Sequence, residues 1–465
     1  MPTLTAHGDS RLALWLRVRR YAVPPSMIET AAVRRGTGDW AGACAAARVD
    51  VDLDLRTVAR VHGRELAARV RSDLRRLAPD LLRWHMPRIA PDGLLRPGLT
   101  LSLARYGEPG RAGEPGRASA VHLVARTPPA SADAGQRIGL ALWDPDRPEA
   151  GNHPHPRPNR RYRLDLHRHL WDAGRAPELG VRSGADGPGP PDHDPLGLVP
   201  AGLDCAVGRW AAEAAILLRA EGRAPGAFAV RFGGAGRKTL QLVPDGGGFA
   251  LEEAAEHPAG GFRALPVLPD AATRLSPDLQ LLRAGLLAPD RLHPLVAAAL
   301  APGHPAPCPP GDPDPAHGAR LVACRGATHR IGLVDGVLSA LDHAPAEVRR
   351  EELLAALGGP PLPCLRAVDA AHRRPDCLSG VRERLDHGDT AGALAVVEAL
   401  LGPEAVLREG PLRDTLATAA ERHIAYGLYR AGLNDPGHAV PVTQGAADRR
   451  AHRPRRRPRH ATSVR

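Results

Sequence analysis

The chain has 465 residues, a formal net charge of +11, six cysteines, and one lysine, Lys238, against 61 arginines. That length suffices for two or three domains with cores of their own, and scattered cysteines with no Cys-x-x-Cys pair exclude a disulfide framework. Eight arginines and no acid lie between Arg449 and Arg465, so the rest of the chain carries only about +3, which excludes a strongly basic face over the body.

Residues 1–143 read as helices followed by an antiparallel meander. Leu66, Val70, Leu74, Leu77, Leu81 and Trp84 recur every three or four residues and share one helical stripe, which Pro79 should split and Pro87 should end. The period then changes to two in Leu99–Leu103, Ala120–Val124 and Arg137–Trp143, three predicted strands. Between the first two lies a tandem duplication, Gly107–Ala112 and Gly113–Ala118, read as a loop extension. Residues 144–200, dense in Pro, Gly, His and Arg, read as a linker or a long irregular excursion in which only Tyr162 to Trp171 looks ordered.

A middle α+β unit spans 201–301. A helix over 203–221 carries Val207, Trp210, Ala214 and Leu217 on one face; strands follow at Phe228–Phe232, Thr239–Val243 and Phe249–Leu251, then two short helices from Ser276 and Pro289. Phe228, Phe232, Phe249 and Phe262 fall close together and are expected in its core. After a Pro-rich linker at 302–318, residues 319–435 read as a β-hairpin turning at Asp335-Gly336 plus helices at 345–357, 381–385, 390–401 and 412–431. Residues 436–465 form a basic tail. Gly38–Ala45 and Gly388–Ala395 agree at six of eight places, and in each an aspartate is expected to cap a helix after a glycine.

Candidate chemistry is sparse. Gly233–Thr239 contains the only lysine, but a phosphate loop needs Gly directly before Lys and a helix after it; here Arg237 intervenes and a strand follows, so a hairpin turn is expected. Asp50, Asp52 and Asp54 alternate but lack the rest of a calcium loop, and Asp54 reads as a helix cap. His153, His155, His167 and His169 have ligand-like spacing without a rigid frame. Cys308, His317, Cys324, Cys364, His372 and Cys377 match no compact finger, so neither metal nor cofactor is expected. Ser339, Asp342 and His343 are close in sequence but form no nucleophile signature. The remaining candidate binding residues are Arg422, His423, Tyr426, Tyr429 and Arg430 on the last helix, and Arg453, Arg455, Arg456, Arg457 and Arg459 in the tail. The helical group could stack a base or clasp an acidic peptide, but an amphipathic boundary with tyrosine rings inward and hydroxyls wet is the favoured reading, and the tail could hold phosphates weakly.

No apolar run approaches the roughly 18 residues a membrane span needs, and the apolar stretch Leu12–Leu16 is too short for a secretory core. The segments Gly38–Ala47, Leu77–Arg88, Leu282–Leu287 and Leu292–Val296 resemble parts of uncharacterised proteins of high-GC bacteria. That resemblance implies a bacterial cytoplasm and brings no activity or site. The sequence therefore favours an α+β protein with a non-catalytic structural or protein-interaction role and an unknown protein partner. The alternatives are a metal-dependent hydrolase and weak non-specific nucleic-acid binding through the tail.

Overall fold

A computed structural model describes residues 6–107, 120–133, 135–147, 153–184, 197–200, 203–233, 236–254, 264–303, 320–334, 337–357, 359–360, 362–373, 378–401, 407 and 409–433. It shows a mixed α+β protein. The first unit opens with α1 (Ala6–Arg17), α2 (Pro25–Gly36) and α3 (Trp40–Ala46), a short strand β1 (Val49–Val51), then α4 (Leu55–His62), α5 (Arg64–Arg76) and α6 (Pro79–His85). Pro79 sits in the first turn of α6, where its missing N–H costs nothing, so the predicted stripe is split there as expected. Its apolar positions from Val70 to Trp84 are buried against the sheet.

A small ribbon, β2 (Arg88–Ile89) and β3 (Leu94–Leu95), leads to the predicted meander, β4 (Thr100–Tyr106), β5 (Val121–Arg126) and β6 (Ile138–Trp143). The sheet has a fourth strand that sequence periodicity did not reveal: β1 pairs parallel with β6, Asp50 opposite Gly139. Three residues are too few to show a period, and two of them flank a carboxylate. The duplicated hexapeptide lies outside the described residues, apart from Gly107.

Part of the excursion expected at 144–200 is firmly packed. Residues 159–165 run beside β4, where Asn159 and Asp165 donate backbone hydrogen bonds to Thr100 and Ser102. Trp171 is fully buried and its indole donates to Leu164 O at 3.0 Å. Arg168 bridges Asp73 of α5 and Asp172, and Asp73 also accepts from Tyr106 at 2.8 Å. A single helical turn, α7 (Leu179–Arg182), closes the segment.

The middle unit comprises α8 (Val207–Ala220), an antiparallel sheet β7 (Ala227–Arg231), β8 (Arg237–Asp245) and β9 (Gly248–Glu253), and α9 (Asp270–Thr273). Trp210, Phe228 and Phe232 are buried in its core. Phe249 is not: it sits on edge strand β9, none of whose residues is buried, and is 38% exposed. Phe262 lies outside the described residues. The two following helices, α10 (Pro277–Arg283) and α11 (Pro294–Leu300), correct a second expectation. They and the segment between them pack Leu281, Leu287, Leu292 and Val296 into the first unit's core, and Asp278 accepts a hydrogen bond from Trp84 at 2.9 Å.

The C-terminal unit has a three-stranded antiparallel sheet, β10 (Arg320–Cys324), β11 (Ala327–Val334) and β12 (Val337–Ala340), then α12 (Pro345–Ala356), α13 (Pro363–Arg373), α14 (Leu378–Asp386), α15 (Thr390–Leu401) and α16 (Pro411–Arg430). Asp335 and Gly336 lie outside the described residues, between strands that pair as a hairpin. Helix α13 was not anticipated; its Pro363 is an N-terminal signal that proline-rich surroundings obscured.

The two Gly-Asp echoes adopt the same local structure. Gly38 and Gly388 have φ of +79° and +81°, and Asp39 and Asp389 accept from the N–H of Gly42 and Gly392. The aspartates also pair with Arg34 and Arg384, five residues upstream. A Cβ at Gly42 or Gly392 would meet the capping carboxylate at 2.0 or 2.2 Å, which explains the shared second glycine. The second copy docks on the first unit: Arg48 donates to His387 O at 2.8 Å and pairs with Asp389 at 3.1 Å. Buried Arg83 donates to the carbonyls of Ala22, Gln136 and His387. Gly388 lies so close to Gly135 that a side chain there would collide with its backbone.

Candidate functional site

The proposed binding face of α16 turns inward on its charged side. Asp50 on β1 receives a two-pronged hydrogen bond from Arg137 at 2.7 and 2.6 Å, a third from the Tyr426 hydroxyl, and an ion pair with Arg430 at 3.1 Å. Arg430 also pairs with Asp52, and Arg422 with Asp386 at 2.8 Å. Burial raises the Asp50 carboxyl, but the hydrogen bonds from Arg137 and Tyr426 outweigh it and hold the group below the ordinary carboxylate range. Asp52 moves the other way because burial dominates over Arg430. Tyr429 is half-buried beside Tyr426, their ring centroids 6.4 Å apart. His423 is exposed. Thus Arg422, Tyr426 and Arg430 are engaged with the rest of the chain. Arg453, Arg455, Arg456, Arg457 and Arg459 lie outside the described residues.

Asp54 caps α4, accepting from the N–H groups of Arg56 and Thr57, so the three alternating carboxylates do not converge on one ion. Gly233–Thr239 joins β7 to β8, and Lys238 pairs across the sheet with Glu253 at 2.8 Å. His153 lies 3.0 Å from Thr127 O and 3.2 Å from the His155 N–H, a backbone-bracing role. His167 lies 3.0 Å from Arg163 O and 3.1 Å from Glu213, which Arg182 also grips with two 2.6 Å hydrogen bonds. Arg182 and His167 hold the Glu213 carboxyl down to about 2 against the upward pull of burial. His167, with Arg182, thus ties α8 to the segment around Trp171.

Among the described residues one group gathers three metal-type ligands: Cys324, His343 and Cys364, whose ligand atoms all lie within 4.8 Å of one another and are buried. Three elements converge to build it. Cys324 ends β10 just before the turn Arg325-Gly326, whose φ angles of +53° and +81° make a tight hairpin. His343 precedes α12, and Cys364 occupies the first turn of α13. Burial and the adjacent Cys324 push the Cys364 thiol up to about 11. His343 Nδ1 faces Glu347 at 3.4 Å, while its Nε2 is buried with no hydrogen-bond partner. The ring of His329 stacks on it at 4.3 Å.

Of the cysteine and histidine pool suggested by the sequence, Cys324 and Cys364 come together. Cys308, His317 and Cys377 lie outside the described residues, and His372 is on α13. His343 was missed as a ligand because it belongs to no short ligand pair; it was read beside Ser339 and Asp342. Asp342 is engaged with Arg330 at 2.8 and 3.1 Å. The chain matches no family profile, no curated protein and no solved structure.

Proposed function

We propose that the protein acts without chemistry of its own, as an interaction protein whose partner covers the outer side of α16. One observation supports the reading: the N-terminal half of this helix buries Leu412 in the usual way, but its C-terminal half has its polarity reversed. Arg422, Tyr426 and Arg430 hold Asp386, Asp50 and Asp52 of the same chain, while Ile424 is 65% exposed, Leu428 42% and the following Leu433 69%. A helix that packs only on its own body buries its aliphatic side and wets its charges. Aliphatics left outside on a helix anchored by charges suit the apolar face of a partner helix. No helix among the described residues is long and apolar enough to cross a membrane.

The test places a photo-crosslinking residue at position 428 of the full chain in its native host. The expected result is one defined adduct to a second polypeptide, lost in an Ile424→Asp background that keeps its circular dichroism. Adducts confined to residues 434–465 of the same chain, or no adduct, would overturn the proposal.

A further inference from the structure

The cluster in the C-terminal unit is independent of the α16 surface and points to a ligand of a different kind. We infer that Cys324, His343 and Cys364 bind one zinc ion, which acts as a structural clamp joining the end of β10 to the starts of α12 and α13.

Four observations carry this. The donor set is two sulfurs and one imidazole nitrogen, soft and borderline ligands that favour zinc over calcium or magnesium. Their separations, all within 4.8 Å, are near the roughly 3.5–3.8 Å edge of a tetrahedral zinc site, so small side-chain rotations suffice. The imidazole is oriented as a ligand: Nδ1 faces the Glu347 carboxylate, which selects the tautomer that leaves Nε2 free, and that Nε2 is the buried atom without a partner. Glu347 is itself held by Arg325 at 2.9 Å, so the supporting shell is anchored to the same hairpin as Cys324. A neutral imidazole nitrogen buried without a partner is costly, and a metal bond removes that cost.

The three protein ligands leave the fourth of zinc's tetrahedral positions to a water, and the surroundings suit a clamp rather than a reaction centre. The side chain of His343 is 2% exposed, Cys364 is fully buried and Cys324 1% exposed, so a substrate has no approach to the metal. Among the described residues the apolar support is slight: Ala340 and Leu362 are buried with the two cysteines, and Val322, Val348 and Leu365 pack partly buried against them. A cluster this small is the situation in which small units use metal for folding free energy.

The experiment uses the full chain purified without added metal, stripped with chelator, then titrated with zinc and with cobalt. Expected are one equivalent of zinc, release of about two protons as both thiols ionise, and a thiolate-to-cobalt charge-transfer band. Cys364→Ser and His343→Gln should each weaken binding by about a hundredfold or more. Cys44→Ser and Cys205→Ser, elsewhere in the fold, should leave it unchanged. Because loss of a ligand can unfold the C-terminal unit, Glu347→Gln provides a milder probe, with a roughly tenfold loss and an intact cobalt band. The inference fails if the stripped protein takes up no zinc, if the cobalt spectrum lacks thiolate bands, if a Cys324–Cys364 disulfide forms under reducing purification, or if folded His343→Gln binds zinc as tightly as the parent.

Discussion

In the first unit one apolar cluster runs from Leu14 to Val296 without a break, taking in helices, all four strands of the sheet, the irregular segment around Trp171 and the helices that follow the middle unit. Among the described residues the C-terminal unit buries two separate patches instead: Val381, Leu385, Ala393, Val397 and Leu412 between α14, α15 and α16, and Cys324, Ala340, Leu362 and Cys364 under the small sheet, each with a few partly buried apolar side chains packed on it. Each of these patches removes far less apolar surface from water than the first unit's cluster. The C-terminal unit therefore leans on directed contacts: Arg48 and Arg83 on His387, Asp50 and Asp52 on α16, and the cysteine-histidine cluster. Continuous burial makes a region cooperative, whereas discrete polar contacts leave a region that can open alone.

The sharpest way to break this contrast is to empty one position in each region. Trp171→Ala removes a fully buried ring that touches Arg168 and donates to Leu164 O, and should cost about 3–5 kcal/mol of global stability in urea unfolding. Leu362→Ala should cost nearer 2 kcal/mol, because a small patch collapses around the gap, and the loss should appear in the C-terminal unit alone. Equal losses in one shared transition would show a single cooperative unit.

Much of this fold was legible because its strongest elements have clear periods. The stripe from Leu66 to Trp84, the three meander strands, the middle sheet and α16 all follow from spacing and caps. What stayed hidden depends on distance along the chain. Nothing near Val49–Val51 indicates that Ile138–Leu140 will lie parallel to it, and nothing near Leu281 says that it will join the core that holds Leu14 and Trp84. The candidate site was half legible for the same reason: two cysteines were in view, but His343 becomes a ligand only when α12 and α13 meet the end of β10. Tyr426 and Arg430 stand out in the sequence of the last helix, but nothing there pairs them with Asp50 and Asp52, more than 370 residues upstream.

Acid should sharpen the comparison next. In the first unit burial, with His293 and Arg88 nearby, pushes His85 down to about 3, and burial pushes His122 down to about 4. Burial and His167 also hold His169 well below its ordinary value. A native imidazole that resists protonation leaves the unfolded chain holding more protons once pH falls below about 6.5, so stability is full above that value and is lost from there towards the folded values. Each such histidine should cost about 2 kcal/mol between pH 7 and pH 5. Asp133, pushed up to about 6 by burial, works the opposite way and offsets part of the loss. Urea unfolding at the two pH values should show a clear net loss, reduced by about 2 kcal/mol in His85→Gln; identical wild-type stability at both would refute the buried-histidine account.

The smallest effect is the most discriminating, because the molecule contains the same helix cap twice. Gly42→Ala and Gly392→Ala each place a methyl group against a capping carboxylate, that of Asp39 or Asp389. The carboxylate swings away and the hydrogen bond to the helix N–H is lost, a local cost of about 1 kcal/mol in either copy. With matched chemistry, only the surroundings differ. In the first unit α3 is part of the continuous core, so the cost should lower global stability by the full amount. In the C-terminal unit it should instead speed amide exchange across α14 and α15 and leave the slowest amides of the β4–β5–β6 sheet unchanged. If Gly392→Ala speeds exchange in that sheet as much as Gly42→Ala does, the contacts of Arg48, Arg83 and Asp50 couple the two regions into one folding unit, and the division between them is geometric rather than energetic.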